Sequence, residues 1–341
     1  EDLERELGIK NAIKLASNEN PMGPSPFAIQ AVNNILSGLH RYPDGNALRL
    51  KEAICSDQNV DLDQITIGNG SNDIIEFVVR SFLSSKDSAV FSEHAFAVYP
   101  LAVQTVGAQG IEVPAKDWGH NLSAMNKAIQ KNTKLIFIAN PNNPTGTFIA
   151  RDEVISFLDS VSKDVIVLLD QAYFDYASYE NSDIGFEFIN EFPNLIISRS
   201  FSKAYGLAGF RVGYSVSSKE IADFLNRVRQ PFNTNSLALA AAEAALSDKD
   251  HMLKSLKMNI EQKSLLYKGL EDLGYQYIPS AGNFICFDCK QDAEQLFNNL
   301  LKEGVIVRSM GVYKMPNHLR VTIGLPEENN IFLEKLAKVG S

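Results

Sequence analysis

The segment ISRSFSKAYGLAGFRVGY, residues 197–214, places one lysine among small hydroxyl residues and an arginine. Ser200 and Ser202 precede Lys203, and Arg211 follows eight positions after the lysine. Hydroxyl and guanidinium groups are donors that proteins use to hold phosphates and carboxylates. The spacing therefore predicts a site built around an anionic ligand.

Other polar residues follow apolar runs elsewhere in the chain. Ser71 and Asn72 follow QITIGNG, the segment NPNNPTG (residues 140–146) follows KLIFIA, and Asp170 and Tyr173 follow VIVLL. Each one alone is typical of a helix cap or a turn. In a parallel α/β sheet, however, ligands bind at the carboxyl ends of the strands. These residues together therefore predict one site at one edge of a sheet, and Ser71 adds a helix N-terminus that favours an anion.

The elements that must position these residues are alternating strands and helices. From about residue 45 to 230, apolar β-branched runs alternate with helix-like stretches, which predicts an α/β fold with a mostly parallel sheet covered by helices. Residues 236–272 read as a long helical region, and three later strands flank one helix. We expect a large domain over residues 35–240. A smaller α+β domain is expected to combine residues 1–34, which include an N-terminal arm, with residues 241–341.

Composition excludes several classes of protein. Lys and Arg total 32 against 41 Asp and Glu, and this net charge of −9 argues against nucleic acid or an anionic membrane as a partner. Cys55, Cys286 and Cys289 are too few for a disulfide framework, and the C-x-x-C pair has no further cysteine nearby, so no metal site is expected. The apolar runs are short and the N-terminus is acidic, so we expect a cytoplasmic enzyme.

The sequence resembles the pyridoxal-phosphate-dependent aminotransferases of fold type I, and in particular the histidinol-phosphate aminotransferase family. The resemblance rests on LASNENPMGPSP, RYPDGNALRLKEAI, NPNNPTG, DQAYFDY, SFSKAYGLAGFRVGY and LRVTIGLPEEN, and it covers nearly the whole chain. NPNNPTG with S-x-S-K and the arginine is specific for the superfamily and less specific for the subfamily.

The resemblance implies a cofactor, pyridoxal 5′-phosphate, and a role for each matching residue. Lys203 is expected to bind the cofactor aldehyde covalently and to move the substrate proton, and Asp170 to pair with the ring nitrogen. Asn143 and Tyr173 are expected to hydrogen-bond the ring oxygen, and Phe96 to stack on the ring without a hydroxyl to donate. The residues expected to hold the phosphate are Ser71, Asn72, Ser200, Ser202 and Arg211.

The same resemblance implies an assembly and a substrate. Tyr42 in RYPDG is expected to reach the phosphate in the other subunit of a homodimer with shared active sites. Arg320 is expected to take an α-carboxylate, and Arg308 a distal phosphate or γ-carboxylate. Asn20 stands near the substrate, where several relatives have tyrosine. We expect a small-molecule amino donor and a 2-oxo acid, namely histidinol phosphate and 2-oxoglutarate, in histidine biosynthesis.

Three other functions compete with this interpretation. An aromatic amino acid aminotransferase shares the reaction, and a phosphothreonine-type decarboxylase shares the cofactor, the lysine and the phosphate grip. A third candidate, the aminotransferase-like sensor domain of a transcription regulator, needs a basic helix-turn-helix extension, and the acidic first thirty residues offer none. A nucleotide-binding protein is rejected because the sequence lacks G-x-x-x-x-G-K-[ST].

Overall fold

The described strands form a large sheet, a smaller sheet and one separate pair of short strands. The computed structural model describes residues 8–9, 11–180 and 184–340. In chain order the strands are β1 (Ile13–Lys14), β2 (Ile65–Gly68), β3 (Ser88–Ser92), β4 (Gln109–Val113), β5 (Thr133–Ala139), β6 (Ile166–Asp170), β7 (Leu195–Ser200), β8 (Gly213–Ser217), β9 (Gln276–Ile278), β10 (Phe284–Asp288), β11 (Val305–Ile306), β12 (Arg308–Ser309) and β13 (His318–Thr322).

Helices alternate with most of these strands. They are α1 (Pro26–Ile35), α2 (Leu48–Gln58), α3 (Ser71–Phe82), α4 (Val98–Thr105), α5 (Leu122–Lys127), α6 (Arg151–Ser160), α7 (Phe174–Glu180), α8 (Lys219–Val228), α9 (Ser236–Ser247), α10 (Lys249–Asp272), α11 (Ala293–Lys302) and α12 (Pro326–Val339). No helix in the described ranges is long and apolar enough to cross a membrane.

The large sheet has the order β2-β8-β7-β6-β5-β3-β4 within the described residues. Strands β7, β6, β5, β3 and β4 run parallel, and β8 alone is antiparallel to its neighbours β2 and β7. The prediction of an α/β fold with a mostly parallel sheet is therefore confirmed.

Helices cover both faces of this sheet, and β5 shows why its strands are apolar throughout. Leu135 and Phe137 pack in one buried cluster, with side chains of α3, α4 and α8. Ile136 and Ile138 pack in the other, with side chains of α1, α2, α5, α6 and α9. Successive side chains of a strand point to opposite faces, so a strand that is buried on both sides must be apolar at every position.

The smaller sheet has the order β12-β13-β10-β9, and its strands are antiparallel. Strand β1 of the N-terminal arm, which we define as residues 13–20, pairs in parallel with β11. Leu15 of the arm lies in the same buried cluster as side chains of α10, α11 and α12. The expected α+β arrangement of arm and C-terminal region is therefore present, whereas the boundaries at residues 34/35 and 240/241 stay a prediction.

The helical region 236–272 is two helices, not one. Helix α9 ends at Ser247, and Asp248 accepts a hydrogen bond through its side chain from the backbone N–H of His251, at 3.1 Å. A carboxylate in this position caps the first turn of a new helix, because it satisfies an N–H group that has no partner within the helix. Asp248 therefore ends α9 and begins α10.

Candidate active site

A cavity of about 360 Å³ lies where the parallel strands of the large sheet end. Ala139, Asp170 and Ser200, the last residues of β5, β6 and β7, all line it. The carboxyl ends of neighbouring parallel strands meet at one edge, so residues far apart in sequence converge there. The sequence-predicted residues that line the cavity are Ser71, Asn72, Phe96, Asn143, Asp170, Tyr173, Ser200, Ser202, Lys203 and Arg211.

Asp170 is a buried carboxylate with a defined set of donors. Its Oδ2 accepts a hydrogen bond from the Tyr99 hydroxyl at 2.9 Å. Its Oδ1 accepts from the backbone N–H of Ala172 at 3.2 Å and from the Ser198 hydroxyl at 3.3 Å. Burial raises the pKa of Asp170, and these hydrogen bonds oppose the rise. The carboxylate is thus held rigidly at the base of the cavity, where it can pair with a protonated ring nitrogen.

Lys203 extends into the cavity with one backbone partner. Its Nζ donates to the carbonyl oxygen of Ser17 in the N-terminal arm at 3.1 Å. Burial lowers the pKa of Lys203 to about 8, and the positive charge of Arg320 adds to the effect while Glu19 opposes it. An amine with this pKa is neutral far more often near pH 7 than an exposed lysine is, which is what a nucleophile or general base requires.

An anion cradle lies beside Lys203 where α3 begins. Gly70 has a φ of +81°, and a Cβ on it would lie 2.6 Å from Nη2 of Arg211. A Cβ on Gly213 would lie 2.6 Å from the backbone nitrogen of Ser71. Arg211 also donates through Nη1 to the Ser202 hydroxyl at 3.4 Å. The two glycines therefore let a guanidinium and a helix N-terminus share one small space, an arrangement that suits a phosphate.

Arg320 approaches the cavity from the smaller sheet. Its Nη1 donates to Oδ1 of Asn143 at 2.5 Å, and its Nη2 donates to the carbonyl oxygen of Ala16 at 2.8 Å. Its Nε is buried and has no hydrogen-bond partner in the described part of the chain. Burial lowers the pKa of Arg320, and nearby phenol groups oppose this. The planar guanidinium is thus fixed beside Asn143.

Arg308 is the register partner of Arg320 across β12 and β13, and it is exposed. Directly paired residues of antiparallel strands place their side chains on the same face of a sheet. The two predicted substrate arginines therefore share one face, one of them buried and the other open to solvent.

Besides the two arginines, two more predicted residues lie outside the cavity lining. Tyr42 is 82% exposed, and its ring stacks on Phe232 with 4.8 Å between centroids. Asn20 is buried, and its Nδ2 donates to the carbonyl oxygen of Ala204 at 2.8 Å and to the Ser255 hydroxyl at 2.5 Å. Asn20 therefore ties the arm to the chain just after Lys203, so its predicted contact with the substrate has no support from this geometry.

The sequence interpretation missed several residues of the site. Tyr99 is fully buried and donates to Asp170, and burial together with that carboxylate raises its pKa well above the usual range. Its ring contacts that of Phe96, with 5.8 Å between centroids, but no local sequence pattern marks Tyr99 as part of the site. Ser17 and Glu19 of the arm also line the cavity. From the polar run SNEN, residues 17–20, the sequence analysis predicted a site role only for Asn20.

The arrangement suits a ligand with three recognisable parts. The cradle of Ser71 and Arg211 fits a phosphate, Asp170 fits a protonated ring nitrogen, and Lys203 fits an aldehyde that reacts with amines. The flat ring of Phe96 faces the same cavity. These residues fit pyridoxal 5′-phosphate.

Comparisons with known proteins point to the same group of enzymes. The family model described as "Aminotransferase class I and II" matches residues 10–336. The chain is 55% identical to "Histidinol-phosphate aminotransferase 2" of Pseudomonas fluorescens, over 99% of this chain and 92% of the relative. It is 51% identical to "Histidinol-phosphate aminotransferase 1" of Idiomarina loihiensis, over 99% of this chain and 92% of that relative.

A solved structure supports the same assignment. The histidinol-phosphate aminotransferase from Sinorhizobium meliloti in complex with pyridoxal-5′-phosphate superposes with a TM-score of 0.94 at 28% identity, covering 99% of this chain and 93% of that one. The architecture is therefore that of a fold type I aminotransferase, as the sequence predicted. By its matched family model and its full-length relatives, this chain belongs to the class I and II aminotransferases and, within them, to the histidinol-phosphate aminotransferase family.

Proposed function

We propose that the protein transfers an amino group between L-histidinol phosphate and 2-oxoglutarate, giving imidazole acetol phosphate and glutamate, in histidine biosynthesis. The observation that carries the proposal is the cavity itself, where Lys203, Asp170 and Arg211 converge and Arg320 bonds to the lining residue Asn143. The full-length likeness to relatives with this name supports the choice of substrate.

Pyridoxal 5′-phosphate, when bound, supplies a positively charged ring that accepts the electron pair left when the substrate carbon loses its proton. Asp170 would keep the ring nitrogen protonated, because a buried carboxylate favours a cationic partner. Asn143 and Tyr173 would donate to the ring oxygen, and Phe96 would pack against the ring face. Lys203 would hold the cofactor and would accept and return the substrate proton at Nζ.

The phosphate is held by the N-terminus of α3 and by Arg211. The guanidinium gives two parallel donors to one oxyanion, which lysine cannot reproduce. Ser202 Oγ already lies near Arg211, and Ser200 Oγ accepts from the backbone N–H of Ser202 at 3.1 Å, so both hydroxyls are fixed at the cradle. The residues in this role are Ser71, Asn72, Ser200, Ser202 and Arg211.

Two arginines on one face suit the two substrates. Histidinol phosphate carries a phosphate and no carboxylate, whereas 2-oxoglutarate carries two carboxylates and must use the same pocket in the second half-reaction. Arg320 takes the α-carboxylate, and Arg308 takes the distal phosphate or γ-carboxylate. An aromatic amino acid aminotransferase is the second candidate, because the ring of Phe284 packs against the Arg320 guanidinium and that of Phe96 lines the cavity. A decarboxylase would release carbon dioxide without needing a 2-oxo acid.

The proposal includes a homodimer with shared sites. Tyr42 is far more exposed than a tyrosine that serves its own subunit's cavity would be. Its surroundings in the chain are also apolar and exposed, which is typical of a surface that a partner covers. The exposed apolar residues between positions 27 and 48 are Phe27, Ile29, Leu36, Leu39, Tyr42 and Leu48. The three free cysteines suit a reducing compartment, so we propose the cytoplasm as its location.

Lys203 should carry the cofactor. Borohydride reduction followed by peptide mapping should find pyridoxal phosphate on this lysine. Lys203→Ala should still bind the cofactor through the phosphate cradle, while turnover falls at least ~10²–10⁴-fold because a positioned base is lost. Lys163→Ala, a change of a lysine that packs over Phe192, is the matched control and should keep wild-type turnover. A label on another lysine, or near-normal turnover in Lys203→Ala, would sink the assignment.

The two arginines should separate the half-reactions. For Arg320, which is buried, loss of a desolvated charge pair costs roughly 2–5 kcal/mol, about 30- to 5,000-fold in affinity. Arg320→Lys should impair the 2-oxoglutarate half-reaction more than the histidinol-phosphate one, and Arg308→Ala should impair both. Single-turnover kinetics of each half-reaction measures this, with Arg80→Lys as a control, because Arg80 forms an ion pair with Glu76 on its own helix.

The substrate assignment has its own contradicting results. If Arg308→Ala leaves the histidinol-phosphate half-reaction unaffected, the predicted phosphate contact is wrong. If the wild type ignores histidinol phosphate and processes phenylalanine rapidly, the aromatic aminotransferase is the better description.

Tyr42 should act across the dimer. Tyr42→Phe removes only the hydroxyl and keeps the stack on Phe232, so cofactor affinity should fall by about tenfold or more, as for a hydrogen bond to a charged group. Mixing Tyr42→Phe with Lys203→Ala subunits at limiting cofactor should restore activity, because each heterodimer has one site that is wild type at both positions. The mixture should reach about one quarter of wild-type activity. A monomer by light scattering at assay concentration would remove the basis of this prediction.

A further inference from the structure

Three consecutive residues of the N-terminal arm each contact one functional residue. The carbonyl of Ala16 accepts from Arg320 at 2.8 Å, and that of Ser17 accepts from Lys203 at 3.1 Å. Asn18 donates through Nδ2 to the hydroxyl oxygen of Tyr173 at 2.8 Å. The first two contacts use the backbone, which any residue supplies. Only the third depends on the identity of the side chain.

The hydrogen bonds around Asn18 fix the orientation of its amide. The backbone N–H of Asn18 donates to Oγ1 of Thr322 at 2.9 Å, so this oxygen acts as an acceptor. The hydroxyl proton of Thr322 is then available for Oδ1 of Asn18, at 3.3 Å. Since Oδ1 faces Thr322, the NH₂ group of the amide must face Tyr173.

This orientation leaves the Tyr173 hydroxyl with one role. A tyrosine hydroxyl has a single proton to donate. Because its oxygen accepts from Asn18, that proton is free to be donated into the cavity that Tyr173 lines. The Tyr173 ring is buried and packs edge-on against Phe284, with centroids 5.1 Å apart, so the hydroxyl has little freedom to find another partner.

We propose that Asn18 is a positioning residue, which holds Tyr173 with its hydroxyl proton directed at the ring oxygen of the cofactor. The proposal rests on the proposed function, because it assigns that ring oxygen to Tyr173. Tyr173 lines the cavity and Asn18 does not, so Asn18 acts through Tyr173. Through Thr322, which lies two residues after Arg320 in β13, it also links the hydroxyl to the strand that carries the substrate arginine.

The backbone offers a competing explanation for an asparagine here. Asn18 has a φ of 55°, in the left-handed region that asparagine and glycine adopt readily. Asn18→Gly separates the two explanations, because glycine keeps this conformation and loses only the amide. Asn283→Ala is the structural control, because Asn283 donates to the carbonyl oxygens of Asn18 and Glu19 and so supports the backbone of the arm rather than the Asn18 amide.

The test is a pH titration of the visible absorbance of bound pyridoxal phosphate in the full holoenzyme. A hydrogen bond donated to the ring oxygen makes that oxygen bind the neighbouring proton less tightly. Loss of the donor therefore raises the pH midpoint of the absorbance titration. We expect Tyr173→Phe to raise it by about one to two pH units and Asn18→Gly by about half a unit to one. The double variant should match Tyr173→Phe alone, because Asn18 acts through that hydroxyl.

Kinetics and stability complete the experiment. Asn18→Gly should lower kcat by about 3- to 10-fold with little change in KM. Asn283→Ala should lower the unfolding temperature and leave the absorbance midpoint in place. Thr322→Val removes the hydroxyl that orients the Asn18 amide, so it should raise the absorbance midpoint by less than Asn18→Gly does. It is the variant to measure if Asn18→Gly does not fold.

Three results would overturn the proposal, each in a distinguishable way. If Tyr173→Phe raises the midpoint and both Asn18→Gly and Thr322→Val leave it unchanged, Asn18 is only structural and the proposed function stands. If Tyr173→Phe itself leaves the midpoint unchanged, Tyr173 does not contact the ring oxygen, and its role in the proposed function falls together with this proposal. Additive shifts in the double variant would likewise show that Asn18 does not act through Tyr173.

Discussion

An excess of positive charge around one partly desolvated cavity is the constraint on which the site depends. Lys203 and Arg211 line the cavity and Arg320 lies beside it, whereas Asp170 and Glu19 are its acidic residues. Burial lowers the pKa of Lys203, and the positive charges of Arg320 and Arg211 lower it further, because each disfavours a third charge nearby. A phosphate monoester carries a charge of about −1.5 to −2 near pH 7. A ligand with such a group therefore relieves that repulsion. Burial and this repulsion together keep a neutral amine available on Lys203.

The fold holds these cations close together by joining the large sheet to the smaller one. The arm supplies backbone acceptors to Arg320, which lies in β13 of the smaller sheet, and to Lys203, which follows β7 of the large sheet. Two further hydrogen bonds join the large domain to the C-terminal region. The ring of His94 bonds to the carbonyl oxygen of Tyr313 at 2.6 Å, and the backbone N–H of Ala281 donates to the carbonyl oxygen of Gly146 at 2.9 Å. The cations are therefore held at fixed separations by carbonyl oxygens, which bind them without adding negative charge.

Residues at strand ends could be predicted from the sequence, and residues that arrive by other routes could not. Asp170 and Ser200 end apolar strands whose periodicity is plain, and parallel strands must end at one edge. Tyr99 reaches Asp170 from a helix, across 71 residues of sequence, and no local pattern encodes that meeting. Asn18 meets Tyr173 across 155 residues for the same reason. The arm was correctly expected to pack on the C-terminal region, but the sequence pattern does not encode the left-handed backbone that Asn18 adopts.

The charge account is tested most directly by the pH dependence of cofactor capture. The rate at which cofactor-free protein binds pyridoxal phosphate covalently should be measured from pH 6 to 11, with noncovalent binding to Lys203→Ala measured alongside to remove the ligand's own titration. The pKa of Lys203 is lowered to about 8, and the neutral amine reacts. The corrected rate should therefore rise with pH and level off above a midpoint near 8. A midpoint near 10.5, the ordinary value for lysine, would contradict the account.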